Sequence, residues 1–502
     1  MKKRIVTLTL ALAMVMATTL TACQEWAAAI GLPPHQTDHV GVQSTNPSGP
    51  VDVPTAAPSD PVDVPTATPS SSIDMPTASP SGSVDVPPSQ TPGTGLSADV
   101  TLIADEHIAY IQSDGSGLFS PNKYITRAEA AVILRRLLSD TVPVTVSYSD
   151  VPADSPYADA AAQLGSLGVI RPTESTFNGD ESISRREFAG YIACFFPLRT
   201  DAEQFSDVLP DDPYGPAILS GRAWGWLTGR SDGTFNPDGA LHRYEAVVIL
   251  NRALGRSGDR ESIEADRPAL FLDVPVTKWY YYDVMEAAVP HTPAADDTGA
   301  EKWTDFAPAD TGLPEDFRTE GVHLYNGWSY YYSAETKDIL RSRANGGNTY
   351  DIDGHFTTGD ATVDAQLRDI VLSKTKSGMT GEEMLQALYA YCRDTYKYLK
   401  WNVFATGDTS FTLDAARQML STGRGNCYCY ASVFWYLARW IGYDARIYSG
   451  TLLGDYHSWV EINGYIYDTQ MEWRWVHERS NTRYLWYFYQ LKDSSDTWRY
   501  RK

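Results

Sequence analysis

The chain is short of three things for its 502 residues: cysteine, positive charge and long apolar runs. Five cysteines are too few to frame a fold of this length with disulfide bonds. The 41 Lys and Arg residues face 63 Asp and Glu, a formal net charge of -22, so the surface as a whole would repel nucleic acid and anionic lipid. No stretch reaches the roughly 18 consecutive apolar residues of a transmembrane helix, so none is predicted.

The N-terminus has the pattern of a targeting segment. "MKKR" is basic, residues 5–16 are mostly apolar, and small residues follow. The stretch Leu20-Thr21-Ala22-Cys23 resembles a bacterial lipobox, which implies a lipoprotein signal peptide over residues 1–22 and a lipid anchor on Cys23. The alternative is an ordinary secretory cleavage site with an unmodified cysteine. Both interpretations place the mature chain outside the cytoplasmic membrane.

Residues 23–96 are rich in Pro, Ser and Thr and repeat a short proline-centred unit, as in "VDVPTAAPSDPVDVPTATPS". Such a composition cannot bury enough apolar surface to fold, and its prolines favour extended backbone. We predict a disordered linker that spaces the folded part of the chain from the membrane.

An internal repeat with a period of 58 residues follows the linker. From residues 119, 177 and 235 the copies align as "FSPNKYITRAEAAVIL", "FNGDESISRREFAGYI" and "FNPDGALHRYEAVVIL". Two charged residues recur at that period: Arg127, Arg185 and Arg243, then Glu129, Glu187 and Glu245. Thr126 and Ser184 predict helix N-caps with capping boxes, and His242 breaks the box in the third copy.

These copies resemble S-layer homology modules over residues 97–292, divided at about 97–146, 147–204 and 205–292. The resemblance implies an all-α fold, a three-fold prism of helices, that binds secondary cell-wall polysaccharide. It also implies that Arg127, Arg185 and Arg243 face the anionic polymer, for which the planar guanidinium is suited. The alternative is that each arginine pairs with the glutamate two positions on or with loop carbonyls.

The stretch "FLDVPVTKWYYYDVMEAAV" at residues 271–289 has no arginine helix after it. Because a repeat unit cannot bury its apolar face alone, we predict that this helix, with Trp279 and Tyr282, packs beside the first module and closes the ring. Residues 293–377 are predicted to be a connector. Aromatic and polar residues alternate there between Gly and Asn turns, which predicts two or three short strands in a packing hairpin.

The C-terminal part combines helical patterns with a hairpin. Apolar spacing predicts a helix after Thr380, its N-cap, and "NCYCYASVFWYLARWIG" predicts a second, buried helix. "HSWVEINGYIYDTQ" predicts two strands that are joined at Asn463-Gly464. The strand register places a histidine of the first strand opposite the end of the second to within one residue.

Three residue types in this pattern suit thiol chemistry. Cys427 lies at a helix start, His457 opens a strand and Asp468 ends the next strand. The positive end of a helix favours a thiolate, an adjacent imidazole activates it, and an acidic group orients that imidazole. A buried structural thiol, a zinc clip of Cys427, Cys429 and His457, or a disulfide between the two cysteines are the alternatives. The clip lacks a fourth ligand and the disulfide would be strained.

The pieces "GRGNCYCYAS", "LARWIGYDAR", "HSWVEING" and "YIYDTQ" resemble the core of the transglutaminase-like superfamily, which we assign to residues 378–502. The resemblance implies a papain-like α+β fold with Cys427 as nucleophile, His457 as base and acid, and Asp468 as the orienting group. Cys429 is predicted to be a packing thiol. The Cys427 N–H is the predicted first oxyanion donor; the second is not assigned, with Trp401 and Asn402 as the candidates. No metal or other cofactor is predicted.

We therefore expect a multidomain, lipid-anchored protein of a bacterial cell envelope that holds wall polysaccharide. Its last domain is expected to act on amide bonds of a peptide or protein, either as a peptidase or amidase or as a cross-linking acyltransferase. The alternative function is a catalytically inactive envelope scaffold. Nucleic acid is excluded as a partner by the net charge.

Overall fold

The computed structural model describes residue 96 and residues 99–113, 115–170, 175–478, 488–491 and 499–502. The predicted signal peptide, Cys23 and all but the end of the predicted linker lie outside the described residues. Among the helices that are described, none has the length and apolar character needed to cross a membrane.

The S-layer-like region is helical. Its helices are α1 (Arg127–Leu137), α2 (Ala158–Leu167), α3 (Arg185–Ala193), α4 (Gly215–Trp224), α5 (Arg243–Leu254), α6 (Arg260–Asp266) and α7 (Tyr281–Ala288). Helix α1 packs on α2, α3 on α4, and α5 on α7. Each helix that begins at a repeated arginine is therefore paired with a later helix, the next one in the first two copies and the next but one in the third, and one continuous apolar core joins the pairs.

The predicted capping boxes are confirmed in the first two copies. The hydroxyls of Thr126 and Ser184 accept the N–H of the third helical residue, and the glutamate there accepts the N–H of the cap. In the third copy the Glu245 carboxylate still accepts the His242 N–H at 2.9 Å, while the His242 ring contacts that same carboxylate. The histidine therefore lacks the hydroxyl half of the capping box, while the half that the glutamate supplies is retained.

Three backbone hydrogen bonds join the copies in a closed ring. Ile125 N–H donates to Leu241 O (2.8 Å), Leu241 N–H donates to Ile183 O (3.1 Å), and Ile183 N–H donates to Ile125 O (3.0 Å). All three residues have an exposed fraction of 0%. Each of the three residues immediately precedes the N-cap residue of its copy. The three copies therefore meet around one buried axis.

Residues 271–289 complete the first copy. In copies two and three, the carboxylates of Asp150 and Asp207 accept two consecutive N–H groups at the start of the aligned segment. Asp273 does the same for Phe119 and Ser120, at 2.8 and 2.7 Å. Ala287 O also accepts the N–H groups of Tyr110 and Ile111. The predicted closure of the ring therefore involves this segment.

The contacts of the closing helix differ from the prediction. Trp279 lies against Tyr244 of α5, with ring centroids 5.8 Å apart. Tyr282 bonds Glu264 of α6 and lies under the Arg260 guanidinium. The helix packs mainly on the third copy, because the pairing rule that joins α1 to α2 joins α5 to α7. Asp273, before the helix, and Ala287, in its last turn, make the hydrogen bonds to the first copy.

The connector holds more strands than predicted. They are β1 (Thr292–Ala295), β2 (Glu301–Thr304), β3 (Gly321–Tyr325), β4 (Trp328–Ser333), β5 (Asp338–Ile339), β6 (Arg343–Asn345), β7 (Asn348–Tyr350) and β8 (Phe356–Thr357). They form three small antiparallel sheets, with a 3-10 turn at Glu315–Arg318. Strands of two or three residues carry too little alternation to be recognised from sequence.

The C-terminal part mixes helices and sheet. Its helices are α8 (Ala361–Lys374), α9 (Gly381–Thr395), α10 (Thr412–Thr422), α11 (Cys427–Trp440) and α12 (Thr469–Glu478). Its strands are β9 (Lys397–Tyr398), β10 (Arg424–Gly425), β11 (Ala445–Leu452), β12 (Asp455–Ile462), β13 (Tyr465–Tyr467) and β14 (Tyr500–Arg501). The larger sheet has the order β13-β12-β11-β14, and the almost fully buried α11 packs between this sheet and α9, α10 and α12.

Two local predictions hold in this part. Thr380 caps α9 in a capping box with Glu383. Strands β12 and β13 pair across Asn463-Gly464, where both residues have positive φ (52° and 80°) as a two-residue hairpin turn requires. The chain is multidomain, with a helical region followed by a mixed region, as the sequence predicts.

Candidate functional site

Cys427 is the first residue of α11. Helix α10 ends at Gly423, whose φ of 70° is the left-handed conformation of a helix stop. Asn426 then caps α11, since its Oδ1 accepts the Tyr428 N–H at 3.2 Å. The Cys427 side chain keeps an exposed fraction of 8%. The nucleophile candidate, itself buried, thus lies at the positive end of a buried helix.

His457 and Asp468 meet beside this helix start. His457 Nε2 and Asp468 Oδ2 are 2.6 Å apart, and both residues are buried. The other ring nitrogen, Nδ1, is thereby left for Cys427, which lies close enough to raise the pKa of His457. The structure brings the three predicted residues together in the order thiol, imidazole, carboxylate.

The electrostatics of the cluster favour a charged imidazole. Burial lowers the pKa of His457, but the charges of Asp468 and Cys427 and hydrogen bonds to both outweigh it, and the pKa is raised to about 10. His457 is therefore protonated at neutral pH. An imidazolium beside the sulfur is the environment that stabilises a thiolate.

His457 lies deeper in its strand than predicted. It is the third residue of β12, where it pairs with Gly450 of β11. The pairing of β12 with β13 ends at Val460–Tyr467, so His457 and Asp468 both lie beyond the paired part of the hairpin. The two side chains nevertheless meet there, as their 2.6 Å contact shows.

Asp468 has two further partners that the sequence reading missed. Its Oδ1 accepts the Met471 N–H at the start of α12 (3.0 Å), and its Oδ2 also accepts the Tyr500 hydroxyl (2.9 Å). Tyr500 belongs to β14, which pairs with β11 beside Gly450. A Cβ at Gly450 would collide with the Arg501 carbonyl, so only glycine lets β14 approach. No sequence motif announces a tyrosine 32 residues away.

The remaining described cysteines are packing residues. Cys429 is fully buried beneath Gly425, where any added Cβ would collide with its side chain. Burial raises the pKa of Cys429 to about 12 and also raises the pKa of Cys392. Cys194 is half-buried, and its thiol donates to Gly190 O. All four described cysteines are free, so the disulfide alternative does not occur among them.

The two candidates for the second oxyanion donor belong to a loop beside the helix start. Asn426 Nδ2 donates to the Asn402 carbonyl at 2.9 Å, which holds this loop next to Cys427. Trp401 packs on Phe404, with ring centroids 5.8 Å apart. The next residue, Val403, is 55% exposed, and Tyr456, which precedes His457, is 59% exposed. These two exposed apolar side chains are adjacent in sequence to the residues that surround the sulfur.

The repeated arginines begin helices α1, α3 and α5, and each pairs with the next copy. Arg127 donates to Glu187 at 2.9 Å, Arg185 to Glu245 at 3.0 Å, and Arg243 to Glu129 at 3.5 Å. The glutamate is that of the following copy and not the one two positions on. Arg185 and Arg243 also donate to the carbonyls of the aligned phenylalanines, so part of the loop-carbonyl alternative is present.

Family profiles match both parts of the chain. The profile described as the S-layer homology domain matches residues 110–131 and 147–189, and that of the transglutaminase-like superfamily matches residues 368–477. The chain contains an S-layer homology domain and a transglutaminase-like domain. The second match begins within the predicted connector, on α8, which packs against α9, α10 and α11.

Curated relatives match over parts of their length. The chain is 33% identical over 208 residues to "Cell surface glycoprotein 1" and 31% identical over 211 residues to "Cellulosome-anchoring protein", both of Acetivibrio thermocellus. It is 30% identical over 151 residues to "Surface-layer 125 kDa protein" of Lysinibacillus sphaericus. These matches cover 38%, 39% and 29% of this chain, and 9%, 45% and 13% of the relatives. The chain thus spans less than half the length of each.

Proposed function

We propose that this protein is anchored in a bacterial cell envelope and carries a thiol enzyme that acts on amide bonds there. One observation carries the catalytic part: a buried His457 lies between Asp468 and Cys427, at the start of a helix, with its pKa raised to about 10. That arrangement holds a proton on the imidazole and favours a thiolate on the sulfur.

The chemistry follows from the positions of these groups. The Cys427 sulfur attacks the amide carbonyl carbon, and the carbonyl oxygen takes up the negative charge. The N–H of Cys427 has no acceptor within its helix and is a donor for that oxygen. The His457 imidazolium then gives its proton to the leaving amine as the C–N bond breaks, and a thioester remains on Cys427.

The thioester is resolved by water or by a second amine. His457, now neutral, removes a proton from the incoming group as it attacks the thioester carbon, and the thiolate leaves. Water as the acceptor gives a peptidase or amidase, and an amine gives a cross-linker. We favour hydrolysis because water is the more abundant acceptor.

The substrate is proposed to be a peptide or a protein surface. Two clefts in the described part of the chain are lined by other residues and not by Cys427, His457 or Asp468. Val403, which follows Asn402, and Tyr456, which precedes His457, instead expose apolar side chains. A small molecule needs a concave pocket, whereas a chain segment binds an open surface with a few apolar contacts.

Anchoring is proposed to come from the S-layer homology region. The names of the relatives, a cellulosome-anchoring protein and two surface proteins, support attachment to the envelope. We propose secondary cell-wall polysaccharide as the ligand, bound around Arg127, Arg185 and Arg243. The arginine–glutamate pairs between successive copies, together with the backbone hydrogen bonds that join the three copies, support a helical prism. Lipid on Cys23 would add a membrane anchor, which mass spectrometry of the mature N-terminus would detect.

The catalytic proposal is tested first by thiol labelling. An ordinary cysteine with a pKa near 8.5 holds about 3% thiolate at pH 7. A thiolate paired with an imidazolium should therefore react about 30-fold faster with iodoacetamide than that cysteine. We expect fast labelling of Cys427 in the native protein and a loss of about that size in His457→Gln. Slow labelling of Cys427 in both proteins would favour the inactive scaffold.

The second test identifies the substrate. The protein is incubated with envelope extract, quenched in acid to preserve thioesters, and digested. Mass spectrometry of the Cys427 peptide should show an acyl adduct whose mass reveals the substrate, and hydroxylamine should remove it. Cys429→Ala is the matched control that must retain the adduct.

A further inference from the structure

Four side chains converge in the interior of the S-layer homology region, where the chain closes on itself. His107 precedes the first copy, Glu286 lies on α7, His291 follows α7, and Glu301 lies on β2. One nitrogen or oxygen atom from each lies within 4.8 Å of the others. His107, Glu286 and His291 are buried, and the Glu301 side chain is 11% exposed. They are spread over 195 residues, so no sequence motif groups them.

The distances between these side chains are close to those between the ligands of a tetrahedral site, with Glu286 meeting His107 through Oε1 and His291 through Oε2. His107 Nδ1 lies 2.9 Å from His291 Nε2, 2.9 Å from Glu286 Oε1 and 2.9 Å from Glu301 Oε1. His291 Nε2 lies 3.3 Å from Glu286 Oε2 and 3.2 Å from Glu301 Oε1. A zinc ion with four bonds of about 2.0–2.1 Å has ligands about 3.3 Å apart. Only a small expansion separates these distances from that geometry.

Protons alone do not satisfy this cluster. The His291 Nδ1 approaches the Val289 carbonyl at 2.8 Å and donates to it, so its proton is used outside the cluster. One proton on His107 Nδ1 would face three lone-pair atoms at 2.9 Å. Two protonated rings would instead direct two N–H groups at each other across 2.9 Å. Glu286 Oε1 is buried, and His107 Nδ1, 2.9 Å away, does not meet it in good hydrogen-bond geometry.

Further contacts hold the same side chains in place. Trp303 Nε1 donates to Glu286 Oε2 at 3.2 Å, and the Ser257 N–H donates to Glu301 Oε2 at 2.8 Å. The Trp303 ring stacks on His291 with centroids 4.0 Å apart. Such partners fix the tautomer and the direction of metal ligands. The inner atoms are therefore aimed at one point by contacts that do not need the metal.

We propose that His107, Glu286, His291 and Glu301 bind one zinc ion in a closed, four-coordinate structural site. Two imidazoles and two carboxylates match the ligand types of zinc, and they balance its charge. Magnesium and calcium prefer six or more oxygen ligands and suit this set poorly. The ion joins His107 to residues 179–194 positions later in the chain. It therefore fastens the beginning of the S-layer homology region to its end.

The first test measures metal content. The full mature chain is dialysed against micromolar zinc and then against metal-free buffer, and its zinc is measured by mass spectrometry. We expect one zinc per chain, and background zinc in His291→Gln and Glu286→Gln. His355→Gln is the matched control, because His355 belongs to a separate, partly exposed cluster with Asp351 and Asp353. A native chain without zinc, or equal zinc in His291→Gln and His355→Gln, would overturn the proposal.

The second test does not depend on variants that fold. Cobalt replaces zinc in the native chain, and the absorption spectrum is recorded. Four-coordinate cobalt with nitrogen and oxygen ligands should show visible bands without a thiolate charge-transfer band. A thiolate band would locate the metal on a cysteine and contradict the proposal. Chelation should also lower the midpoint of thermal unfolding, with recovery on adding zinc. Fast iodoacetamide labelling of Cys427 should persist in zinc-free protein, which separates this inference from the enzyme proposal.

Discussion

The two halves of this protein use the first position of a helix for opposite purposes. Arg127, Arg185 and Arg243 begin α1, α3 and α5, and Cys427 begins α11. The positive end of a helix destabilises a guanidinium and stabilises a thiolate. The arginines accordingly have carboxylates from the neighbouring copy. The thiol has an imidazolium instead, which adds to the effect of the helix.

The largest difference should appear when the thiol is removed. Cys427→Ala removes the atom that forms the thioester, so turnover of the amide identified by acyl trapping should fall by about 10⁴-fold or more. Cys429→Ala, two residues on and buried beneath Gly425, should retain most of the activity. Equal loss in both variants, measured as initial rates, would show that the helix start and not the Cys427 thiol matters.

The charge on His457 should make stability depend on pH. Its pKa in the folded protein, about 10, lies above the ordinary value of 6.5, so the folded state binds the extra proton between those values. The contribution should be complete below pH 6.5, decline between pH 6.5 and 10, and vanish above 10. We expect native protein to exceed His457→Gln in free energy of unfolding by about 2–4 kcal/mol at pH 6, from denaturant titrations. A difference that widens toward pH 10 would contradict the imidazolium.

Breaking an arginine–glutamate pair between two copies should lower the free energy of unfolding, and more so where the arginine is buried. Arg243 is 9% exposed and donates to the carbonyls of Phe119 and Gln112 as well as to Glu129. Arg243→Gln should lower the free energy of unfolding by about 2 kcal/mol because it leaves these acceptors without their charged donor. Arg135→Gln, which breaks an exposed pair with Asp159, should cost less than about 1 kcal/mol. Equal costs would show that the pairs between copies are no more than surface pairing.

Substitution of a repeated arginine also tests the proposal that these residues bind the wall polymer. Sedimentation with purified wall sacculi should fall in Arg127→Gln, whose side chain is 19% exposed, while the fold is retained. A cleft beside the first copy, lined by Lys123, Lys278 and Arg343 among others, is the competing location for an anionic polymer. Lys278→Ala would then reduce sedimentation instead of Arg127→Gln.

The smallest effect should come from the hydroxyl that supports Asp468. Tyr500→Phe removes one hydrogen bond to Oδ2 and leaves the ring in place, which corresponds to about 1 kcal/mol or a five-fold slower alkylation of Cys427 at pH 7. The pH profile of alkylation should shift as well, since the carboxylate sets the charge state of His457. Tyr124→Phe, exposed and in the other half of the protein, should change neither.

Sequence reading reached features that depend on neighbouring residues. The repeat period, the caps at Thr126, Ser184 and Thr380, and the turn at Asn463-Gly464 are local, so each left a pattern of a few letters. The residues of the cysteine site were predicted from family resemblance, and the structure brings them together. Local order is what a linear pattern records.

Features set by distant contacts were not accessible in this way. Each arginine meets the glutamate 60 residues on, or 114 residues back, and the nearer glutamate two positions on was an equally good partner by sequence. Tyr500 reaches Asp468 only because Gly450 admits β14. The His107–Glu286–His291–Glu301 cluster exists only once the ring has closed. Such contacts depend on the path of the chain in space.

The hydrogen-bonded cycle of Ile125, Leu241 and Ile183 bears on how this protein can evolve. Open repeat arrays gain and lose units at their ends, because each unit touches only its neighbours. Here every copy is both donor and acceptor at a shared centre, and a deletion would strand one buried N–H and one buried carbonyl. Substitutions can therefore change residues within each copy, but the number of copies must stay at three.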